Sequence, residues 1–361
     1  MDHELHRSRR AALSPYFSGR MVQDLETRIR RQIETMRDVI SEYLFGQSFG
    51  ALDSPDFGRP LNDVLLSGVK VHPFARIFRP LAIAMFRAPR WMMPKSEILE
   101  SSLKYDRMIG DMTRSAFNDA ENEKSASHTR TIVHSQLHND TLDPADRTFE
   151  RIKSEGMVLV GAGTETTART LATAIYHILA TDAVHKRVLG EVRTVMPSSE
   201  SPLPSVAQLQ QLPYLTAVVN ESLRIAHGVA GRLSRIAPDE DLQYGTLKIP
   251  RGVTFSQSMY YVHSDSEVYP QPNEFHPERF LGEDSDVAKA NLWPFGKGTR
   301  SCLGINLAQA ELFLTIAMVI GGVDMELVGT TKRDVLPVKE YFVGYLPDDS
   351  LGIRVKIRGR A

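Results

Sequence analysis

Apolar positions recur at helical spacing over most of the first two-thirds of this chain. In residues 22–37, Leu25, Ile29, Ile33 and Met36 fall three and four apart among charged neighbours, which predicts an amphipathic helix. Residues 155–181 run without proline and predict one helix that, at about 1.5 Å per residue, would cross a whole domain. Residues 303–320 carry Leu307, Ala310, Leu314 and Ala317 at the same spacing and predict a third. The pattern changes at residues 242–261, where Tyr244-Gly245-Thr246 and the run from Ile249 to Thr254 predict turns and short strands; residues 335–357 are also strand-like. Residues 46–59 are rich in Gly, Pro and Ser and predict a loop, and residues 120–138 predict exposed polar surface. Residues 81–93, bracketed by Pro80, Pro89 and Pro94, predict a helix packed on the core rather than laid on a lipid surface. No linker divides the chain, so residues 1–361 are expected to form a single, mainly α domain with small sheets towards the C-terminal half.

Composition narrows the classes of function. With 361 residues and 42% hydrophobic content the chain can bury a large core, and 43 basic against 44 acidic residues argue against a nucleic-acid partner. A single cysteine excludes internal disulfides and Cys-based zinc or iron–sulfur sites, and suits a reducing compartment. The first six residues are polar, with no signal peptide, and the longest largely apolar stretch, residues 312–323, is too short to span a bilayer.

That one cysteine, Cys302, sits in Phe295-Gly296-Lys297-Gly298-Thr299-Arg300-Ser301-Cys302-Leu303-Gly304, just ahead of the third helix. Gly296 and Gly298 allow a tight turn that can pass close to a flat macrocycle, and Arg300 can pair with a carboxylate on it. A thiolate ahead of a helix N-terminus is stabilised by the dipole and by free N–H groups, so the arrangement suits a ligand to haem iron. A lone cysteine is otherwise a small buried hydrophobe. No motif pairs Cys302 with a His base, so a cysteine hydrolase is disfavoured. In the long helix, Ala162-Gly163-Thr164-Glu165-Thr166-Thr167 places a glycine, costing about 1 kcal/mol against Ala, where a Thr hydroxyl can bond back to a carbonyl and open the turn. Glu165 and Thr166 then offer an acid and an alcohol able to pass protons; the alternative is a solvated charge beside ordinary buried hydroxyls.

The decade Phe-x-x-Gly-x-Arg-x-Cys-x-Gly, filled from Phe295 to Gly304, resembles the haem loop of the cytochrome P-450 monooxygenases. The resemblance extends along essentially all 361 residues and implies the cytochrome P-450 fold, with Cys302 as axial thiolate and Phe295 and Gly304 shaping its loop. It makes Glu165 and Thr166 the oxygen-activating pair. It makes Glu221 and Arg224 of Glu221-Ser222-Leu223-Arg224, with Arg279 of Phe275-His276-Pro277-Glu278-Arg279-Phe280, a buried network holding the cysteine loop. Arg10, Arg235 and Arg300 match propionate partners, although His6 stands where the family commonly has Trp; Arg7 and Arg9 read as a solvated basic face that could meet an acidic redox partner. By family position, residues 157–162, 229–231 and 345–347 would line the substrate pocket.

The same resemblance implies NADPH-derived electrons through a cytochrome P-450 reductase, a small hydrophobic substrate, peripheral membrane contact and a place on the cytoplasmic side of the endoplasmic reticulum. The stretches Val160 to Thr167, Leu212 to Val218, Arg235 to Leu242 and Cys302 to Ala308 look like fungal secondary-metabolism members, nearest the trichodiene-oxygenase-like group, which implies a terpenoid or related natural product as substrate, in biosynthesis of mycotoxin type. Against the family pattern, Met1 falls after the expected anchor, first strands and first two helices, and one helix is missing near Ile33–Asp38, where Arg37 to Gly46 follows too closely. Without its anchor the chain would be cytoplasmic. Two other readings stand beside the monooxygenase: a non-catalytic remnant, and a haem-thiolate isomerase or dehydratase, whose members tend to lack the acid–alcohol pair.

Overall fold

A computed structural model describes residues 3–32, 36–51, 53–54, 70, 72–88, 97–121, 131–283 and 285–361. The organising element is an unbroken helix, Phe149–Ala180. Its buried positions Ile152, Gly156, Val160, Thr164, Thr167, Leu171, Ala174 and Ile178 follow one another at intervals of three and four, a continuous stripe down one side. Helices Met36–Phe45, Glu97–Glu121, Asp182–Val195, Pro213–Ala226 and Ile305–Gly322 pack around it. Gly156 permits the closest of these approaches: a Cβ there would lie 2.8 Å from Cζ of Phe45.

The strands stay small and local. Arg235–Ile236 pairs antiparallel with Thr254–Phe255, Leu242–Tyr244 with Leu247–Ile249, Val323–Leu327 with Val355–Arg360, and Lys339–Tyr341 with Val343–Tyr345. Each sheet has two strands, so none supplies a core, and the mainly α architecture with small sheets is as expected.

Several sequence expectations shift. The helix expected over residues 22–37 runs instead Gly19–Gln32, burying Val22, Leu25 and Ile29, and a new helix begins at Met36. Ile33, Glu34 and Thr35 lie outside the described residues, as does much of the place where a helix was expected to be missing. Where packing on the core was expected over residues 81–93, Leu81 of the helix Arg79–Arg87 is 51% exposed, and Ile83, with Phe74 and Ile77 of the preceding helix His72–Ile77 and Phe78 between the two, also faces solvent. Residues 89–93 lie outside the described set. Residues 132–137, expected on the exposed surface, form a helix that buries Ile132, Val133 and Gln136. The basic face of the first helix, His3–Leu13, is largely engaged: Arg7 pairs with Glu4 at 3.1 Å, and Arg9 grips buried Asp146 at 2.6 Å. Ile305–Gly322 is long and apolar enough to cross a membrane, contrary to the shorter count over residues 312–323, but it lies in the core with Leu307, Leu314, Ala317 and Ile320 buried.

Candidate active site

The loop carrying Cys302 is built by backbone hydrogen bonds. Gly296 N–H donates to the Trp293 carbonyl at 2.9 Å, Ser301 N–H to Gly298 at 3.0 Å, and Cys302 N–H to the Phe295 carbonyl at 2.8 Å. Gly296 and Gly298 adopt φ of +68° and +76°, and a Cβ on either would meet open space, so the demand for glycine is conformational rather than steric. Gly304 then opens the helix Ile305–Gly322. Phe295 lies half-buried against the main core and anchors the other end of the loop.

Cys302 is exposed, yet protein crowds it on most sides. Burial is the larger influence and pushes its thiol up, partly offset by the Gly304 N–H and by the positive charge of Arg10. The stabilisation expected at the helix start is therefore present but does not prevail on its own. A metal ion bound at the sulfur would add a further charge that favours the thiolate.

Two guanidinium groups, Arg10 and Arg300, lie near His6 beside the loop. Arg10 donates to the Ser301 carbonyl at 2.8 Å. The His6 imidazole is held below its usual range by desolvation and then by the charges of Arg300, Arg10 and His3. Neither Arg10 nor Arg300 pairs with a carboxylate among the described residues. Among the described residues, the Arg235 guanidinium makes one hydrogen bond, to the carbonyl of its neighbour Ser234 at 3.1 Å. The donor set fits haem: unpaired guanidinium groups suit carboxylates carried by the ligand. No group of three or more His, Cys, Asp or Glu side chains suited to a metal occurs among the described residues, so a metal at Cys302 would have to bring other ligands with it, as haem iron does.

The central helix contributes the polar groups singled out in the sequence. The Thr166 hydroxyl donates to the Ala162 carbonyl at 2.9 Å, yet the helix stays continuous, so the expected opening of the turn does not occur. Gly163 is not demanded by a neighbour, since a Cβ there would meet only Ile40 at 3.9 Å. Glu165 turns away from Thr166 and pairs with Arg169, one turn on, at 3.2 Å. Burial pushes its carboxyl up against the opposing pull of Arg169. Tyr345, pushed up to about 12 by burial and then by the Glu165 charge, faces the same pair. The acid and the alcohol are thus neighbours in sequence with different partners. Across the gap, a Cβ at Gly228 would lie 3.9 Å from that of Thr166, which brings the end of the Pro213–Ala226 helix to this point.

The expected pocket segment 229–231 meets the hairpin that ends at Tyr345, through Phe342. Gly231 N–H donates to the Phe342 carbonyl at 3.1 Å, and a Cβ on Gly231 would stand 3.2 Å from the Phe342 Cα, so the hairpin Lys339–Tyr345 closes onto residues 229–231.

The supporting network is the most complete feature. Glu221 and Arg224 are each 0% exposed. Arg224 grips Glu221 with two bonds of 2.8 Å, and Arg279 Nε adds a third contact at 3.1 Å, with the His276 N–H at 2.9 Å. The remaining Arg224 donors reach the carbonyls of His263 at 2.7 Å, Pro272 at 2.8 Å and Glu274 at 3.3 Å. The surface reading of this Glu–Arg spacing fails, and the buried triad expected by resemblance is present.

Sequence reasoning missed Glu311. It lies buried on the helix after Cys302, hydrogen-bonded to Thr167 of the central helix, and burial raises its carboxyl well above the usual range. The available signal was a charge inside the apolar run Leu307 to Ile320. A proton kept by the folded state and released by the unfolded one makes stability fall as pH rises above 4.5, by up to about 1.4 kcal/mol per pH unit. Glu311→Gln, which keeps a neutral hydrogen-bonding group, should remove that slope. Thermal midpoints measured from about pH 5 to 8 should diverge in favour of the variant; parallel curves would contradict a protonated Glu311.

The sequence matches the Cytochrome P450 family profile over residues 27–343. The cytochrome P450 monooxygenase ucsK of Acremonium sp. is 44% identical, over 99% of this chain and 76% of that protein. Its alignment extends over 399 positions, more than the 361 residues here, so at least 38 positions face no residue of this chain. The cytochrome P450 monooxygenase TRI4 of Trichoderma arundinaceum is 33% identical, over 99% of this chain and 75% of that protein. Among solved structures, a cytochrome P450 (CYP102L1) superposes with a TM-score of 0.73 at 18% identity, over 97% of this chain and 81% of that one. With fold, profile and relatives in agreement, the chain belongs to the cytochrome P450 family and is an oxygen-incorporating oxidoreductase.

Proposed function

We propose that this enzyme inserts one atom of dioxygen into a small hydrophobic secondary metabolite of terpenoid type, at a haem held by Cys302. The observation that carries the reading is the exposed residue Cys302, presented by a glycine-built loop beside two guanidinium groups that pair with no carboxylate among the described residues. When bound, haem with a thiolate ligand supplies the dioxygen-activating redox chemistry. Arg10, Arg300 and Arg235 would hold its two carboxylates, with Phe295 and Gly304 shaping the loop beneath it. Thr166 would hold a proton at its Oγ1 for delivery, and Glu165, whose carboxyl is pushed up by burial, would replenish it once it leaves Arg169.

Residues 157–162, 229–231 and 345–347 would exclude water from the substrate, within one domain spanning residues 1–361. Electrons would come from NADPH through a flavoprotein reductase docked on the cysteine side, where Lys297 to Thr299 are exposed. The solvent-facing side chains Phe74, Ile77, Phe78, Leu81 and Ile83 would rest on the cytoplasmic face of the endoplasmic reticulum membrane. The terpenoid class rests on the likeness to trichodiene-oxygenase-type sequences.

Turnover of a terpene panel with NADPH, reductase and isotopically labelled dioxygen tests this reading. One labelled atom per product molecule is expected. Conversion without dioxygen would instead identify an isomerase or dehydratase, and haem-free, inactive protein a remnant. In Thr166→Ala electrons still arrive but the proton donor is gone, so NADPH consumption should persist while product per NADPH falls about 100-fold. Unchanged coupling would remove Thr166 from the proton path.

A further inference from the structure

A chain of hydrogen bonds runs from the buried triad to the cysteine, and one side chain joins its two halves. His263 closes the short helix Met259–His263 and is 1% exposed. Its carbonyl accepts from Arg224 Nη1 at 2.7 Å. Its ring Nε2 accepts the backbone N–H of Trp293 at 3.1 Å, so the proton of the neutral ring sits on Nδ1, which has no hydrogen-bond partner. Trp293 opens the cysteine loop. Its carbonyl takes the Gly296 N–H at 2.9 Å, and two residues on, the Phe295 carbonyl takes the Cys302 N–H at 2.8 Å. Pro294 has no N–H, so the Trp293 donor is the point at which this strand can be tied inward. The Trp293 ring is fixed as well, by its Nε1–H on the Ala290 carbonyl at 2.6 Å and by Lys297 lying 3.9 Å over its face.

We infer that His263 is a positioning residue: by accepting from Trp293 with its ring and from Arg224 with its carbonyl, it sets the cysteine loop against the Glu221–Arg224–Arg279 network and so orients the Cys302 thiolate towards haem. The inference rests on the haem-thiolate reading proposed above. It assigns the imidazole a task distinct from the triad's: among the described residues, the hydrogen bonds that join the triad to the loop pass through His263. Only a neutral imidazole can accept at Nε2. Burial first, then the neighbouring His227 and Arg224, hold its pKa down to about 3, so the acceptor is present throughout the working range.

The test compares full-length wild type, His263→Leu and His263→Gln, each loaded with haem. A Gln Oε1 can reach roughly the place of Nε2 and accept the same N–H, whereas Leu fills volume without accepting. Three quantities are read: the share of reduced, CO-bound protein with the thiolate-shifted Soret band, the rate of haem transfer to apomyoglobin, and the far-ultraviolet circular dichroism. His263→Leu is expected to keep the helical signal, lose most of the shifted band and release haem about 10–100-fold faster, as for other residues that support a metal ligand. His263→Gln is expected to restore both haem readouts. A Leu variant with the full shifted band and wild-type haem release would overturn the inference. So would a Gln variant that fails as badly as Leu, including one that does not fold, because His263 would then act through packing alone. Wild type that binds haem without the shifted band would instead overturn the haem-thiolate reading itself, and the role of His263 with it.

Discussion

Glu221→Gln is expected to destabilise the folded protein by about 3–5 kcal/mol, because it leaves two guanidinium groups in the interior without their counter-charge. Arg224 is wholly buried and Arg279 nearly so, and both converge on this one carboxylate. Gln could accept one bond but not three charge-assisted ones. The Arg224 bonds to the carbonyls of His263, Pro272 and Glu274 would then have to hold a bare cation, which they do only weakly. A domain of this kind has about 5–15 kcal/mol in hand, so the loss takes a large part of it. Urea unfolding should show the midpoint falling with little change in slope, and the haem content of purified protein falling with it. A variant within about 1 kcal/mol of wild type would show that the triad is a surface-like pair in disguise.

Cys302→Ala should have the opposite profile. Cys302 is an exposed residue, and the bond that shapes the loop is made by the backbone N–H, which alanine keeps. Stability of the haem-free protein should therefore move by no more than about 0.5 kcal/mol. Thiolate ligation and NADPH-dependent product formation should both disappear, because no other side chain in the loop can donate a thiolate. Equal stability with complete loss of product is the signature of a ligand. A marked drop in haem-free stability, with product formation retained, would make Cys302 a packing residue.

The features legible in the sequence are those whose meaning is local. The loop around Cys302 declares itself through two glycines that need positive φ and an Arg two residues before the Cys, all within ten residues. The central helix is legible because thirty residues keep one apolar period without proline. The Glu221–Arg224 pair is local too, but its burial is not. Spacing alone favours a solvated face, and the correct reading came from resemblance.

What stayed hidden depends on chain segments far apart in sequence. Arg9 looked free because its partner, Asp146, is 137 residues away. Glu311 drew no notice because Thr167, its partner, lies on another helix. The exposure of Leu81 ran against its apolar neighbours, since periodicity reveals that a helix has an apolar face and not what covers it. The acid–alcohol pair shows the same limit from the other side. Glu165 and Thr166 are adjacent in sequence, but on a helix adjacent residues diverge, and Arg169 claims the acid.

One bond is decisive for the proposed function, that between the Cys302 sulfur and haem iron. The most direct measurement is the absorption spectrum of the purified 361-residue chain, loaded with haem, reduced and exposed to CO. The thiolate-shifted Soret band is expected in wild type and absent in Cys302→Ala. Haem-loaded, well-folded wild-type protein showing only the unshifted band would contradict it.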